Sequence, residues 1–292
     1  MSGKRKRNMG SNIIMILVLL IIIGIMGYCL SQLVPKFMDY RKSDHAYKDL
    51  TMSAVSDYNP DAELKIVKAN KKSDKKKSKK IKHVEDALTI DWDAFSGTEI
   101  VAWFQMDDIS YPVMQHSDND YYLHRLPDGT YNGGGSLFLL SYNNPLFTDS
   151  SSFIYGHNMN NGSMFGKLKH YTGAESQDHL FYIYLPDGTR HTYQFFSVAT
   201  VLQESKTYTW SFADDESFLN WQQWMLEESM INTSLSKSAD AKFVTLSTCN
   251  GYSGTNHRLV VCGQEIRVDE LQEPASWYEA YMAKYNDQMA EK

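Results

Sequence analysis

A cysteine and an arginine flank a short loop near the end of the chain, and together they could form a thiol active site. Cys249 follows the apolar run 243–246, and Arg258 opens a second run of apolar and β-branched residues. Turn-forming residues fill the interval 250–256. We predict a β-hairpin that places Cys249 and Arg258 opposite each other, ~5 Å apart. A cation beside a thiol favours the thiolate nucleophile. A core cysteine beside a surface arginine is the alternative, since cysteine is often buried.

The predicted register places Cys262 and His257 away from the predicted site of reaction. If Cys249 pairs with Arg258, then Cys262 pairs with Thr245, four residues back along the first strand. Four residues of strand span ~13 Å, beyond the reach of a disulfide. His257 precedes Arg258, and neighbours on a strand face opposite sides. We therefore expect neither Cys262 nor His257 to take part in the reaction.

The chain has nine histidines, one of which could act as the general base for the thiol. His157 is the candidate, because it lies in a Gly-His-Asn turn at the end of the short strand 153–155. Gly156 before it leaves room for a bulky neighbour to approach. Apolar residues then recur at helical spacing over 164–171, which predicts a helix.

Several blocks of the sequence resemble class B sortases, the cysteine transpeptidases of Gram-positive bacteria. They are Leu-Ser-Thr-Cys at 246–249 with Arg258, Ile-Tyr-Gly-His-Asn-Met at 154–159, and Tyr-Pro-Val at 111–113 with Gln115, Asp118, Asn119, Tyr122 and Leu123. The resemblance runs from about Ile90 to Ile266. It implies a mainly β fold with added helices, namely a closed barrel of about eight strands with a long helix before the cysteine strand. The helical pattern over 212–231 is in the expected place.

The resemblance also implies a reaction and the roles of individual residues. Cys249 would attack the threonyl carbonyl of an Asn-Pro-x-Thr-like sorting signal, and His157 would transfer protons. Arg258 would hold the oxyanion or the substrate backbone. Asn119, Leu123 and Ser247 would line the peptide groove. The thioacyl group would pass to a cell-wall peptide amine, with no metal or cofactor required.

The chain departs from the family pattern at three points. Gly251 stands where some class B members have an aspartate, so no triad is assigned. Leu140 occupies a position where aspartate is frequent, and the loop between Cys249 and Arg258 is slightly short. These departures bear on the choice of substrate more than on the chemistry.

The N-terminal part of the chain predicts a membrane anchor. Residues 12–34 are apolar and uncharged, and ~20 such residues cross a bilayer as a helix. Lys4, Arg5, Lys6 and Arg7 precede them, which predicts a cytoplasmic N-terminus and an extracellular remainder. A short juxtamembrane helix within 35–60 and a Lys-rich stalk over 61–83 follow.

The domain organisation predicted from these features has five parts. They are a basic N-terminus (1–11), the anchor (12–34), the juxtamembrane segment and stalk (35–83), the catalytic domain (84–270) and a C-terminal helix or tail (271–292). The net charge of −6 combines basic N-terminal segments with an acidic remainder, which argues against nucleic-acid binding by the main domain.

Two other functions are alternatives to a sortase-type transpeptidase. A papain-like hydrolase would have its cysteine before its histidine, the reverse of the order here. The other alternative is a sortase-fold module that binds the wall or forms a pilus scaffold without transpeptidase activity, in which Cys249 would be inert. Reaction of Cys249 with a thiol probe separates this module from an enzyme.

Overall fold

A computed structural model gives the architecture of residues 9–57, 87–249 and 256–290. Its α-helices are α1 (Met9–Ala54), α2 (Asp215–Glu227) and α3 (Tyr278–Ala290). Its strands are β1 (Val55–Asp57), β2 (Leu88–Ile90), β3 (Ile100–Met106), β4 (Ile109–Met114), β5 (Leu137–Leu139), β6 (Ser151–Tyr155), β7 (Leu180–Tyr184), β8 (Thr189–Leu202), β9 (Phe243–Cys249) and β10 (His257–Glu270).

Strands β3 to β10 close into a barrel in the order β10-β8-β7-β3-β4-β5-β6-β9. β6 runs parallel to β9, and β9 pairs with β10 as an antiparallel hairpin. Alternate residues of β10 lie on opposite faces of the sheet. Leu259 and Val261 belong to the main apolar cluster, whereas Val260 and Cys262 pack into separate clusters on the other face. The predicted closed barrel of about eight strands is confirmed.

Helix α2 covers part of the outer face just before the cysteine strand, as the family resemblance implied. Asp214 caps its first turn by accepting a hydrogen bond from the Ser217 backbone at 2.8 Å. The aromatic stripe of the helix is core rather than a ligand site, because Trp221 packs edge-on against Phe243, with ring centroids 5.3 Å apart. This packing fixes the outer side of β9.

Helix α1 continues without a break from the apolar segment onto the barrel. It is long and apolar enough to cross a membrane, with a mean hydropathy of 3.1 in its most apolar window. Near its other end Tyr47 is buried, and the Asn132 side chain donates to the carbonyl of Asp39 at 3.0 Å. The juxtamembrane helix predicted within 35–60 is therefore the continuation of the apolar part of α1.

The predicted Lys-rich stalk falls within residues 58–86, which lie outside the described part of the chain. β1 and β2, on either side of this segment, pair antiparallel, with Asp57 opposite Leu88. The two ends of the segment are thus neighbours in the fold. Helix α1 reaches the barrel before the segment begins.

The helix predicted over 164–171 from sequence spacing is wrong in extent. Over 164–171 the chain is helical at Leu168–Tyr171 alone, as a 3-10 turn. Met164 instead has a positive φ of 51° and forms a bridge with Asn158, which closes a loop after His157. Tertiary closure of this loop overrides the apolar periodicity.

Candidate active site

The backbone register of β9 and β10 brings the predicted nucleophile and cation together. Arg258 is paired with Cys249, and Cys262 is paired with Thr245. Both pairings agree with the register predicted from the sequence. Directly paired residues lie on the same face of a sheet, so positions 249 and 258 share one face.

His157 follows strand β6 at the same end of the barrel. Tyr155 pairs with Ser247 in the parallel ladder, and the backbone of Gly156 donates to the carbonyl of Ser247 at 3.1 Å. His157 lies two residues beyond Tyr155, as Cys249 lies two residues beyond Ser247. Positions 157, 249 and 258 therefore lie at the same end of three neighbouring strands. We call these three residues the candidate row.

Gly156 is required at the turn that leads into His157. A Cβ atom at this position would lie 2.3 Å from a methyl of Leu137 and 2.7 Å from the ring of Phe165. Both neighbours are fully buried, so they have little space to move. The close approach predicted at this glycine is made by the side chains of Leu137 and Phe165.

The imidazole of His157 is held by one defined hydrogen bond. Its Nε2 atom donates to the carbonyl oxygen of Leu123 at 2.7 Å. A carbonyl only accepts, so Nε2 carries a proton and Nδ1 is the nitrogen left to exchange protons with a reactant. The His124 ring lies parallel to the His157 ring at a centroid distance of 5.9 Å.

Burial lowers the pKa of His157 from its ordinary value, because it penalises the imidazolium cation. The hydrogen bond to Leu123 acts in the opposite direction and raises this pKa, while the charge of His124 lowers it further. The neutral imidazole is therefore favoured at neutral pH.

The guanidinium of Arg258 is oriented by neighbours at the barrel end. Nη2 donates to Oε1 of Gln203 at 3.1 Å, and Nη1 donates to the carbonyl of His257 at 3.0 Å. The backbone of Gln203 in turn donates to the carbonyl of Asn256 at 2.9 Å. Gln203 was not predicted as a site residue, because its contact with Arg258 depends on the pairing of β8 with β10.

Aromatic side chains lie beside the candidate row. Tyr208 shares a hydrogen bond of 2.7 Å with the hydroxyl of Ser247, and its ring stacks on Tyr155 at 6.4 Å. Farther out, the exposed rings of Tyr142 and Trp210 stack at 5.5 Å. None of these four aromatic residues was predicted as a site residue. Their tyrosine and tryptophan types are common throughout this chain and gave no signal on their own.

The predicted groove residues lie near these aromatic side chains and His157. Ser247 is buried and contacts Tyr208, and Leu123 contributes its carbonyl to His157. The side-chain oxygen of Asn119 accepts a hydrogen bond from the backbone of Ser141 at 2.8 Å. Asn119 therefore ties its own turn to the segment that follows β5. Gly251 lies outside the described residues.

Metal binding finds no support in the part of the chain that the structure describes. No group of three or more histidine, cysteine, aspartate or glutamate side chains is arranged to hold an ion among those residues.

The family model of the sortase domain matches residues 105–266, more than half of the chain. The chain belongs to the sortase family. Sortase B of Listeria monocytogenes is 30% identical over 155 residues, which are 52% of this chain and 63% of that protein. The match therefore spans less than two thirds of the Listeria protein.

Solved sortase B structures share the fold. The Clostridium perfringens structure has a TM-score of 0.54 and 28% identity, and the match covers 58% of this chain and 94% of that one. The Bacillus anthracis structure has a TM-score of 0.58 and 26% identity, over 79% of this chain and 99% of that one. The resemblance to class B sortases seen in the sequence is thereby confirmed.

Proposed function

We propose that the chain is a membrane-anchored class B sortase. It would cleave an Asn-Pro-x-Thr-like sorting signal in surface proteins and transfer the threonyl carbonyl to a cell-wall peptide amine. The observation that carries the proposal is the candidate row, in which a cysteine, a histidine and an arginine occupy one end of three neighbouring strands. Membership of the sortase family supports it.

The proposed reaction has two acyl-transfer steps. In the first, Nδ1 of the neutral His157 ring takes the thiol proton of Cys249, the sulfur attacks the threonyl carbonyl carbon, and the peptide C–N bond breaks. The leaving amine takes a proton from Nδ1 of the His157 imidazolium. In the second, the acceptor amine attacks the thioester and gives a proton to Nδ1, and the thiolate leaves. Arg258 donates hydrogen bonds to the oxyanion of each tetrahedral intermediate.

The hydrogen bond of His157 to Leu123 supports this assignment. With Nε2 engaged by the Leu123 carbonyl, the ring can exchange protons only through Nδ1 unless it rotates. Fixing one nitrogen and leaving the other for the reactants is how a general acid–base histidine is kept in one tautomer.

The test is an assay of the full chain in detergent micelles with a panel of sorting peptides and small amine acceptors. Intact-mass spectrometry should detect a thioacyl adduct with an Asn-Pro-x-Thr peptide, and a ligated product when the amine is added. A peptide with the Asn and Pro exchanged is the matched control. If Cys249 does not react with a thiol probe and no peptide in the panel gives an adduct, the chain is the scaffold module instead.

The lowered pKa of His157 leads to a prediction about pH. The reactive form of the Cys249–His157 pair carries one proton, and activity falls when acid adds a second. Because the folded enzyme lowers the pKa of His157, this acid limb of kcat/KM should have its midpoint below ~6.5, the ordinary histidine value. His124→Gln removes a charge that opposes protonation, so it should move the midpoint upwards.

The matched control for the pH profile is His170→Gln, a change at an exposed histidine outside the candidate row. It should leave the acid limb where it is. An acid limb centred above ~6.5 in the unmodified chain would contradict the assignment of His157.

The proposed location is the cell membrane, with the N-terminus in the cytoplasm and the barrel outside. The basic flank and the apolar part of α1 motivate this orientation. Protease added to intact protoplasts should then remove the barrel, and a cytoplasmic marker protein should survive. Protection of the Cys249 peptide until the membrane is permeabilised would show the opposite orientation.

A further inference from the structure

Tyr47 connects the anchor helix to the candidate active site. It lies on the part of α1 that contacts the barrel, and its side chain is 5% exposed. Its hydroxyl donates to the carbonyl of Gly135 at 2.8 Å and lies 2.8 Å from the hydroxyl of Ser136. Both partners are 88 or more residues away in the chain. The contact is thus a specific tertiary connection.

The segment that Tyr47 holds lies directly on the backbone around Leu123. A Cβ at Gly135 would come within 2.5 Å of the carbonyl oxygen of Leu123, and the φ of Gly135 is +56°. The backbone of Ser136 donates to the carbonyl of Tyr122 at 2.9 Å, and its hydroxyl donates to the carbonyl of Arg125 at 2.8 Å. Residues 122–125 are therefore fixed on both sides of Leu123.

Leu123 is the residue whose carbonyl accepts the hydrogen bond from Nε2 of His157. A displacement of the Gly135–Ser136 segment would move this carbonyl, because the two backbones are in contact. Those two backbone segments thus connect the hydroxyl of Tyr47 to the His157 ring.

Tyr47 also contacts the loop on the other side of His157. Its ring packs edge-on against Tyr111, with centroids 5.1 Å apart. Tyr111 is hydrogen-bonded to the backbone of Met164, and the next residue, Phe165, donates its backbone N–H to the carbonyl of His157 at 3.1 Å. The Leu123 carbonyl that binds His157 and the loop that follows His157 are therefore both connected to Tyr47 on α1.

We propose that Tyr47 is a positioning residue, which fixes the Leu123 carbonyl and thereby the tautomer and orientation of His157. The anchor helix then forms part of the support of the active site, in addition to holding the protein at the membrane. This inference rests on the proposed function, since it assigns Tyr47 a role in that reaction.

The alternative is that Tyr47 merely fills space between α1 and the barrel. The substitution Tyr47→Phe separates the two roles, because it keeps the ring and its packing on Tyr111 but removes the hydroxyl. If packing is all that matters, the change should leave turnover close to that of the unmodified chain. If the hydroxyl fixes Leu123, geometry at His157 changes while the fold remains.

The experiment compares full-length Tyr47→Phe and Tyr40→Phe in detergent micelles. Tyr40 is the matched control, because it lies on the same helix and packs on the same cluster without being part of this hydrogen-bond chain. We expect Tyr47→Phe to lower kcat/KM by about ten- to a hundredfold, the range in which misplacement of a catalytic group falls. Tyr40→Phe should stay within about twofold.

Two further measurements distinguish positioning from a general loss of stability. Weakening the Leu123 hydrogen bond removes an interaction that raises the pKa of His157, so the acid limb of the Tyr47→Phe profile should move to lower pH. The 15N shifts of His157, assigned with a His157→Gln sample, should show a changed tautomer balance. Ser136→Ala, which removes a different part of the same connection, should shift both readouts in the same direction.

The outcomes separate the inference from the proposed function. An inactive unmodified chain would contradict the proposed function itself. If the unmodified chain turns over but Tyr47→Phe matches Tyr40→Phe, with the acid limb and the 15N shifts unchanged, then Tyr47 is a packing residue and the inference fails. Loss of activity together with both shifts supports it.

Discussion

A Cys249→Ala variant is expected to form no thioacyl intermediate with any sorting peptide. The mechanism requires a sulfur nucleophile at the end of β9, and alanine cannot replace it. Intact-mass spectrometry after incubation with peptide measures the result, and circular dichroism checks the fold. A thioacyl adduct on Cys249→Ala would show that another residue is the nucleophile.

Cys262→Ala is the matched control, because this thiol is free, fully buried and paired with Thr245 on the same hairpin. Burial raises the pKa of the Cys262 thiol to about 12, so it carries almost no thiolate near neutral pH. We expect turnover within about twofold of the unmodified chain after a small-volume change of this kind. A mapped Cys249–Cys262 disulfide in active enzyme would contradict the register.

Arg258→Lys should lower the rate of peptide cleavage by about 10²- to 10³-fold, the usual cost of removing an oxyanion donor. Lysine keeps the charge but loses the planar fork that donates from two nitrogens at once. In the structure those two nitrogens already donate to Gln203 and to the His257 carbonyl. The guanidinium is therefore oriented before the substrate binds, and a lysine ammonium cannot reproduce both contacts.

The control for Arg258→Lys is His257→Ala, one residue earlier on β10. His257 is exposed and pairs with Leu202 rather than with a residue of the candidate row. Its loss should reduce the rate less than about tenfold. Near-normal turnover of Arg258→Lys would remove Arg258 from the oxyanion site, and a larger effect at His257 would mean that the wrong face of β10 was assigned.

The hairpin of β9 and β10 was predictable because its determinants are local. Strand alternation and the turn-forming loop fix which residues pair, so the opposition of Cys249 and Arg258 follows from short-range rules. The closed barrel came from the family resemblance instead, since no local rule joins β6 to β9 across 87 intervening residues.

The supports of the candidate site were not predictable in the same way. Tyr208, Gln203 and Tyr47 each act through a partner from a distant part of the chain, and their residue types are ordinary on the strands and helices where they lie. The helix predicted over 164–171 failed for a related reason. The loop after His157 has to close onto the barrel, and the positive φ of Met164 that closes it ends the apolar periodicity.

If α1 spans the membrane as proposed, its continuity sets both the height and the heading of the barrel relative to the bilayer. A helix advances ~1.5 Å per residue, so about 20 Å of helix separate Val34 from Tyr47. Each residue also turns the helix by ~100°. Inserting a single residue between these two positions would therefore rotate the barrel about the membrane normal, and a full turn would restore its heading at a greater height. Length changes within residues 58–86 act on a segment whose ends are neighbours, and they leave height and heading unchanged.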